Sequence, residues 1–371
     1  MKIAFAIHRA FLRIALSGGV LFAWVMFFDW QLAQTGQLAA SLRETTLAFA
    51  LFQIVVILAT PLAGQFFAGG MVRAMVLSLV ALAASLSILG ATIAGVVAPP
   101  YGSVAFSILL GLHRGFYATP FSLVQGGLSI KNIVIEVIFA CVPLEVGLMV
   151  EMLGVVSPAV LFGAAFFALL SIVPLLRFDA YERFEWTYRE TFGMLWEPAH
   201  QAFVVQSMLQ GFEGAALFFL WPLFVFIMLG YSVFGLGVVM TASFLLVIAA
   251  HAIVSEPKRT PSPLTTAIIA TGSWIARFFA IGPVGIVLVQ VFGTGNPRRM
   301  REYLMNDVFA DSGSFLDEIT ILKEIALALG RLIFVLLFAG LAAIVSFGVA
   351  VATVFALAAL AAAYSALVPA R

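Results

Sequence analysis

From about residue 14 to residue 368 the chain is a succession of apolar runs of roughly bilayer-spanning length, separated by short polar punctuation. A hydrocarbon core about 30 Å thick needs about 20 apolar residues per helical crossing, and in lipid every backbone polar group must be satisfied within its own segment. Repetition of that unit therefore leaves few folds open. A window near 20 residues places runs at about 14–33, 46–67, 74–98, 101–125, 133–153, 157–177, 201–229, 232–253, 263–280, 281–297, 321–345 and 347–368. Those twelve runs take up about 270 of the 371 residues. With 63% hydrophobic and only 10% charged residues, the chain cannot coat a water-facing surface, which excludes a soluble enzyme or a nucleic-acid-binding domain. The expected fold class is an all-α integral membrane protein of twelve transmembrane helices in two pseudo-symmetric six-helix bundles. Its expected place is the plasma membrane.

Spans nine and ten are separated only by the turn signal Ile281-Gly282-Pro283, so eleven spans is the competing count. The basic residues arbitrate, because Lys and Arg accumulate in cytosolic loops. With twelve spans and cytoplasmic termini, fifteen of the nineteen basic residues fall on the cytosolic side, Arg43 alone falls outside, and Arg114, Arg277 and Arg331 lie within spans. Removing one span would place Arg298, Arg299 and Arg301 outside.

The single cysteine, Cys141, permits no intramolecular disulfide, and the four histidines, His8, His113, His200 and His251, include no pair of helical neighbours that would suit a metal. Neither a metal nor another cofactor is expected. No phosphate-binding G-x-x-x-x-G-K-[ST] segment is present, which argues against ATP-driven work by this chain. A lipid-directed intramembrane enzyme would need a paired His, a Ser-Lys dyad or closely spaced carboxylates, and none stands out.

Two cytosolic connections are longer than a turn. In 178–199 the residues Tyr181, Phe184, Tyr188, Phe192 and Leu195 recur at helical spacing between charged residues, which predicts an amphipathic interfacial helix. In 294–320, Arg298, Arg299 and Arg301 suit anionic headgroups, and Ser314 with Asp317 resembles a capping box. The first connection divides the spans six and six, giving an expected N-terminal unit 1–177, a linker 178–199 and a C-terminal unit 200–371. An offset of 188 lays Lys131–Val137 on Ile319–Ile325, with Glu136 meeting Glu324 and Ile133 meeting Ile321.

Twelve spans, a long central connection and two parallel six-helix units resemble the major facilitator superfamily of secondary transporters over essentially the whole chain. That family's loop between spans two and three reads G-x-x-x-D-R-x-G-R-R. The equivalent stretch here, Gly64 to Arg73, keeps the first glycine and a late arginine but lacks the Asp, as in a divergent, bacterial-type member. The segment GLHRGFYATPF of span four is similar to the family's pattern of an intramembrane Arg followed by small residues and a Pro. The resemblance implies alternating access, with Arg73, Glu256, Lys258 and Arg259 as gating residues in the two corresponding loops.

A charge near the bilayer centre costs about 2.5 to 3.5 kcal/mol on insertion scales, so each one there is a functional candidate. Arg114 in span four, Glu145 in span five and Glu213 in span seven qualify; Asp29, Arg277 and Arg331 lie nearer span ends, where snorkelling is available. Gln206, Gln210 and Glu213 form one stripe at i, i+4 and i+7, with Trp221 extending it, and the stripe either lines a cavity or bonds a neighbouring helix. Tyr117 shares a face with Arg114, and Gln290 is the strong hydrogen-bonding side chain of its half-helix. Arg114 is a candidate for an anionic solute group or for pairing with Glu145 or Glu213. The two carboxylates are candidate proton carriers, because desolvation raises a carboxyl pKa. These residues suit a monomeric transporter of a small-molecule solute, with protons as a candidate coupling ion. The competing reading is a polytopic membrane protein that serves as an assembly partner without transporting.

Overall fold

The computed structural model describes residues 2–67, 70–126, 133–154, 156–177, 184–253, 262–294 and 316–367. Among the described residues the chain is helical throughout, with no strand. Helix α1 runs Lys2–Ile14, passes through a π-helical turn at Ala15–Val20 and continues Leu21–Thr35. There follow α2 (Leu38–Phe67), α3 (Met71–Ile93), α4 (Pro99–Gly126) and α5 (Ile133–Gly147, ending in the π-turn Leu148–Met152). Next come α6 (Ser157–Leu170, resuming at Ile172–Leu175), the short α7 (Tyr188–Met194) and α8 (Gln201–Ala215, π-turn Ala216–Leu220, then Trp221–Met228). The chain continues with α9 (Val233–Ile253), α10 (Pro263–Arg277), α11 (Gly282–Thr294), α12 (Leu316–Ile344) and α13 (Phe347–Leu367).

Seven of these helices, among the described residues, are long and apolar enough to cross a membrane: Ala4–Thr35, Leu38–Phe66, Met71–Ile93, Ser157–Leu175, Gln201–Met228, Glu318–Ile344 and Phe347–Leu367. The molecule is a multi-pass membrane protein. Helix α4 has the length, with 28 residues, but carries His113 and Arg114 in its middle. Helices α10 and α11 have 15 and 13 residues, which at 1.5 Å per residue is about 22 and 20 Å, short of a hydrocarbon core of about 30 Å. The Ile281-Gly282-Pro283 punctuation is real: α10 stops at Arg277 and α11 restarts at Gly282 with φ +67°.

Of the linker, 178–183 lie outside the described residues. Of the rest, Tyr188–Met194 forms the short helix α7, opened by a capping box in which Thr187 Oγ1 accepts from the Glu190 N–H and the Glu190 carboxylate accepts from the Thr187 N–H. It is tied down by the Glu185 N–H, which donates to the buried Glu318 on α12 at 3.1 Å. The expected capping box at Ser314 and the basic trio at 298–301 lie outside the described residues.

Proline breaks the ladder inside three helices, at Pro61, Pro120 and Pro143. Between residues 1–177 and 200–371 the most extensive helix contacts are α2 with α12 and α5 with α9. Two apolar layers result. One is aromatic and joins α1, α2, α4 and α8: the Trp24 ring lies 5.1 Å from Phe49, 5.0 Å from Phe106 and 5.8 Å from Phe219, and Phe49 stacks on Phe219 at 4.1 Å. The other gathers Ala59, Ala63, Phe116, Ile321, Leu322 and Ile325 from α2, α4 and the start of α12.

Candidate functional site

Arg114 lies between those layers. Phe106, in the aromatic layer, is eight residues before it, roughly 12 Å along the helix, and Phe116, in the second layer, is two residues after it. The Arg114 Nη2 donates to both oxygens of Glu324 on α12, at 3.1 and 2.9 Å. This ion pair joins residues 210 positions apart in the chain. Its two ends differ in exposure: the arginine side chain is 40% accessible and the glutamate 11%. One turn-pair further along α12, at i+7 on the same face, stands Arg331, whose charge also acts on Glu324, with Lys323 adding to it.

The partner of Arg114 is thus neither of the two carboxylates expected from the sequence. Glu145 is exposed, on the same face of α5 as Ile138 and Met149, and takes no part in the pair. Glu213 is half-buried on α8 and accepts from the indole N–H of Trp274 on α10 at 2.8 Å. Trp274 in turn stacks on Arg277, 4.4 Å from its guanidinium, and Trp221 lies on the same cation at 5.1 Å. Arg277 does not snorkel. It is 2% exposed, held inside the protein by two indoles and by its own helix carbonyl at Ser273, 2.9 Å away.

In the polar stripe of α8, Gln206 is buried and donates to the Ser365 carbonyl of α13 at 3.2 Å. Two members of the stripe, Gln206 and Glu213, therefore bond neighbouring helices. Gln210 is half-buried between them in sequence, and Trp221 is fully buried. Gln290 is buried on α11.

Tyr117 is drawn away from Arg114 into a cluster of its own. His8 of α1 donates through Nδ1 to the Ser171 carbonyl at 2.8 Å, so its Nε2 accepts the Tyr117 hydroxyl at 2.7 Å. The phenol ring stacks on His113, 5.4 Å away, and on Phe121, at 5.0 Å. His113 donates to the Ser78 carbonyl of α3 at 3.1 Å. This cluster ties α1, α3, α4 and the α6 segment together, and sequence reasoning missed His8 because no local pattern marks it. A second ion pair, Arg13 with Glu136, joins α1 to α5.

Asp29 is exposed near the end of α1, beside Trp30, as suits a group at headgroup depth. Arg73 is exposed in the first turn of α3. Glu256, Lys258 and Arg259 lie outside the described residues. Gly64, the retained glycine of the degenerate loop motif, has a packing reason: a Cβ there would lie 2.8 Å from both Ile321 of α12 and Phe184 of the linker.

Comparison with solved structures places the fold. The chain is similar to a POT family transporter crystallised with 5-aminolevulinic acid, with a TM-score of 0.67 at 12% identity over 99% of this chain and 95% of that one. It is similar to a D-xylose-proton symporter, with a TM-score of 0.66 at 15% identity over 98% and 96%. It is also similar to the human organic anion transporter MFSD10, with a TM-score of 0.64 at 13% identity over 99% and 98%. No family model matches the chain and no curated protein sequence matches it. The fold is of the major facilitator type. At these identities the likeness is one of fold.

Proposed function

We propose that the protein is a secondary transporter that moves a small-molecule solute by alternating access, a divergent, bacterial-type member of the major facilitator superfamily. In this reading the chain makes twelve crossings, with α10 and α11 completed by flanking residues. Residues 1–177 and 200–371 form two six-helix halves joined by 178–199, and both termini are cytoplasmic at the plasma membrane. The pattern of contacts supports the two halves. The 188-residue offset carries α2 onto α9 and α5 onto α12, so the α2–α12 contact and the α5–α9 contact are symmetry equivalents.

The observation that carries the proposal is the Arg114–Glu324 pair, which then bridges the halves between two apolar layers. A structural ion pair in an apolar interior is no bargain, since desolvation offsets most of its attraction. A pair that forms and breaks as the halves rock does give a transporter a two-state latch. Glu324 and Glu213 are the proposed proton-linked carboxylates, and Arg73, Glu256, Lys258 and Arg259 the proposed gating residues. Glu145, on an uncovered face, stays outside this machinery.

The test is reconstitution in liposomes carrying a pH-sensitive dye, with a panel of sugars, amino acids, organic anions and lipophilic cations. The expected result is solute flux that Glu324→Gln and Arg114→Gln each reduce at least tenfold with the fold intact. Flux at full rate in both variants would remove the latch, and no flux for any solute class would favour a non-transporting scaffold.

A further inference from the structure

Among the described residues the charges around Glu324 do not balance. Arginine keeps its charge in any protein environment, and Arg114 and Arg331 both act on the one carboxylate of Glu324. Among the described residues Arg331 has no carboxylate within ion-pair distance. Arg114 spends a single nitrogen, Nη2, on Glu324, while its enclosed Nε has no hydrogen-bond partner among the described residues. A planar fork of five N–H donors is thus largely unspent, on a side chain that is 40% accessible between two apolar layers. Leaving positive charge uncompensated at that depth is costly, and a neutral or cationic solute would do nothing to relieve it.

We propose that the solute is a small organic anion whose carboxylate or phosphate oxygens are taken by Arg114 and Arg331, with Glu324 as the resident counter-ion that the solute displaces. This rests on the transport reading above. Oxyanions are what guanidinium forks match in geometry, two oxygens at a time. Glu324 shows how such a group sits, with both oxygens on one nitrogen at 3.1 and 2.9 Å. The seven-residue spacing on α12 sets Arg331 about 10 Å along the helix from Glu324, so an anion of a few carbons held by Arg114 lies within reach of the second cation.

The experiment measures binding and flux separately on the intact chain. Purified protein in nanodiscs is titrated with succinate, lactate, inorganic phosphate, glucose 6-phosphate, glucose and choline, read by tryptophan fluorescence and thermal shift. The same solutes are then tested for uptake into proteoliposomes. Saturable binding of the anions alone is expected, with the carboxylate and phosphate arms telling which oxyanion is preferred. Arg331→Gln should weaken that binding at least tenfold and Arg331→Lys less so. Glu324→Gln should tighten it, because a displaced competitor has been removed; a purely structural Glu324 would leave it unchanged or weaken it. Uptake of glucose or choline without any anion binding overturns the anion assignment and leaves the transport reading standing. Anion binding without uptake of any solute overturns transport and keeps the anion site. Neither binding nor uptake overturns both.

Discussion

Where α5 and α9 meet, one added methyl group should be felt across the molecule. A Cβ built on Gly237 would sit 2.4 Å from the Pro143 carbonyl oxygen, and one on Gly147 would sit 2.8 Å from the Phe234 Cα. Ordinary C···O contact is about 3.3 Å, so Gly237→Ala asks the two helices to part by about 0.9 Å. The obstruction is backbone, so no side-chain rotation relieves it. The same parting would stretch the bond from the Leu144 N–H to Thr241 Oγ1, now 3.0 Å, to about 3.9 Å, past hydrogen-bonding range. It would also strain the grip of Glu151 on the Ser232 hydroxyl and on the Phe234 N–H, the latter at 2.8 Å. Overpacking costs about 1–3 kcal/mol and a lost hydrogen bond about 0.5–1.5 kcal/mol. The expected loss is therefore about 1.5–4.5 kcal/mol, or about 10- to 1600-fold in the equilibrium at 1.4 kcal/mol per decade. Reversible unfolding in mixed micelles, followed by tryptophan fluorescence, measures it. Gly163→Ala is the control, because a Cβ there meets nothing within 4 Å, and it should stay within about 0.5 kcal/mol of the parent. Equal stability of the two variants would refute the close α5–α9 packing on which the two-half architecture leans.

Three further outcomes follow from the same geometry. His8→Ala strands the Tyr117 hydroxyl and the Ser171 carbonyl inside the α1–α4–α6 cluster, and at about 1–3 kcal/mol for each buried unsatisfied group it should lower the thermal midpoint well below that of the parent. Trp274→Phe keeps an aromatic ring over Arg277 but removes the donor to Glu213; a charge-assisted bond contributes about 1.5–3 kcal/mol, and unfolding should show a loss of that order, with no change if the bond is incidental. In the linker, the Thr187 backbone N–H, and with it the Thr187 side chain, holds the Glu190 carboxyl below the usual carboxylate range. A carboxyl lowered on folding stabilises fully above its unfolded pKa of about 4.3 and stops doing so as pH falls through the lower folded value. Amide exchange at Tyr188–Met194 should therefore accelerate as pH drops below about 4, after correction for intrinsic rates; Glu190→Gln should erase that pH dependence, whereas Thr187→Ala, which keeps the backbone donor, should only weaken it.

What the sequence by itself determined is the one-dimensional part of the protein: where apolar runs begin and end, that they are helices, and that the chain is a multi-pass membrane protein. That much is local, because a bilayer forces each segment to satisfy its own backbone. The break at Gly282 and the helical character of 188–194 were legible for the same reason. The site was legible only in part. Arg114 stood out as a mid-span charge, but its partner lies 210 residues away, on a helix where Glu324 precedes most of the apolar run and drew no attention as an intramembrane charge. One signal was available: the 188-residue offset aligns Glu324 with Glu136, and the structure gives each of these carboxylates an arginine on another helix. Which faces meet was decided only in three dimensions. Apolar helices can pack through many faces at similar cost, since lipid tails are as apolar as leucine. Close glycine contacts, proline-bent helices and a few polar bonds selected one arrangement, and that arrangement left Glu145 outside, turned Gln206 and Glu213 toward neighbouring helices, and put Arg114 against Glu324.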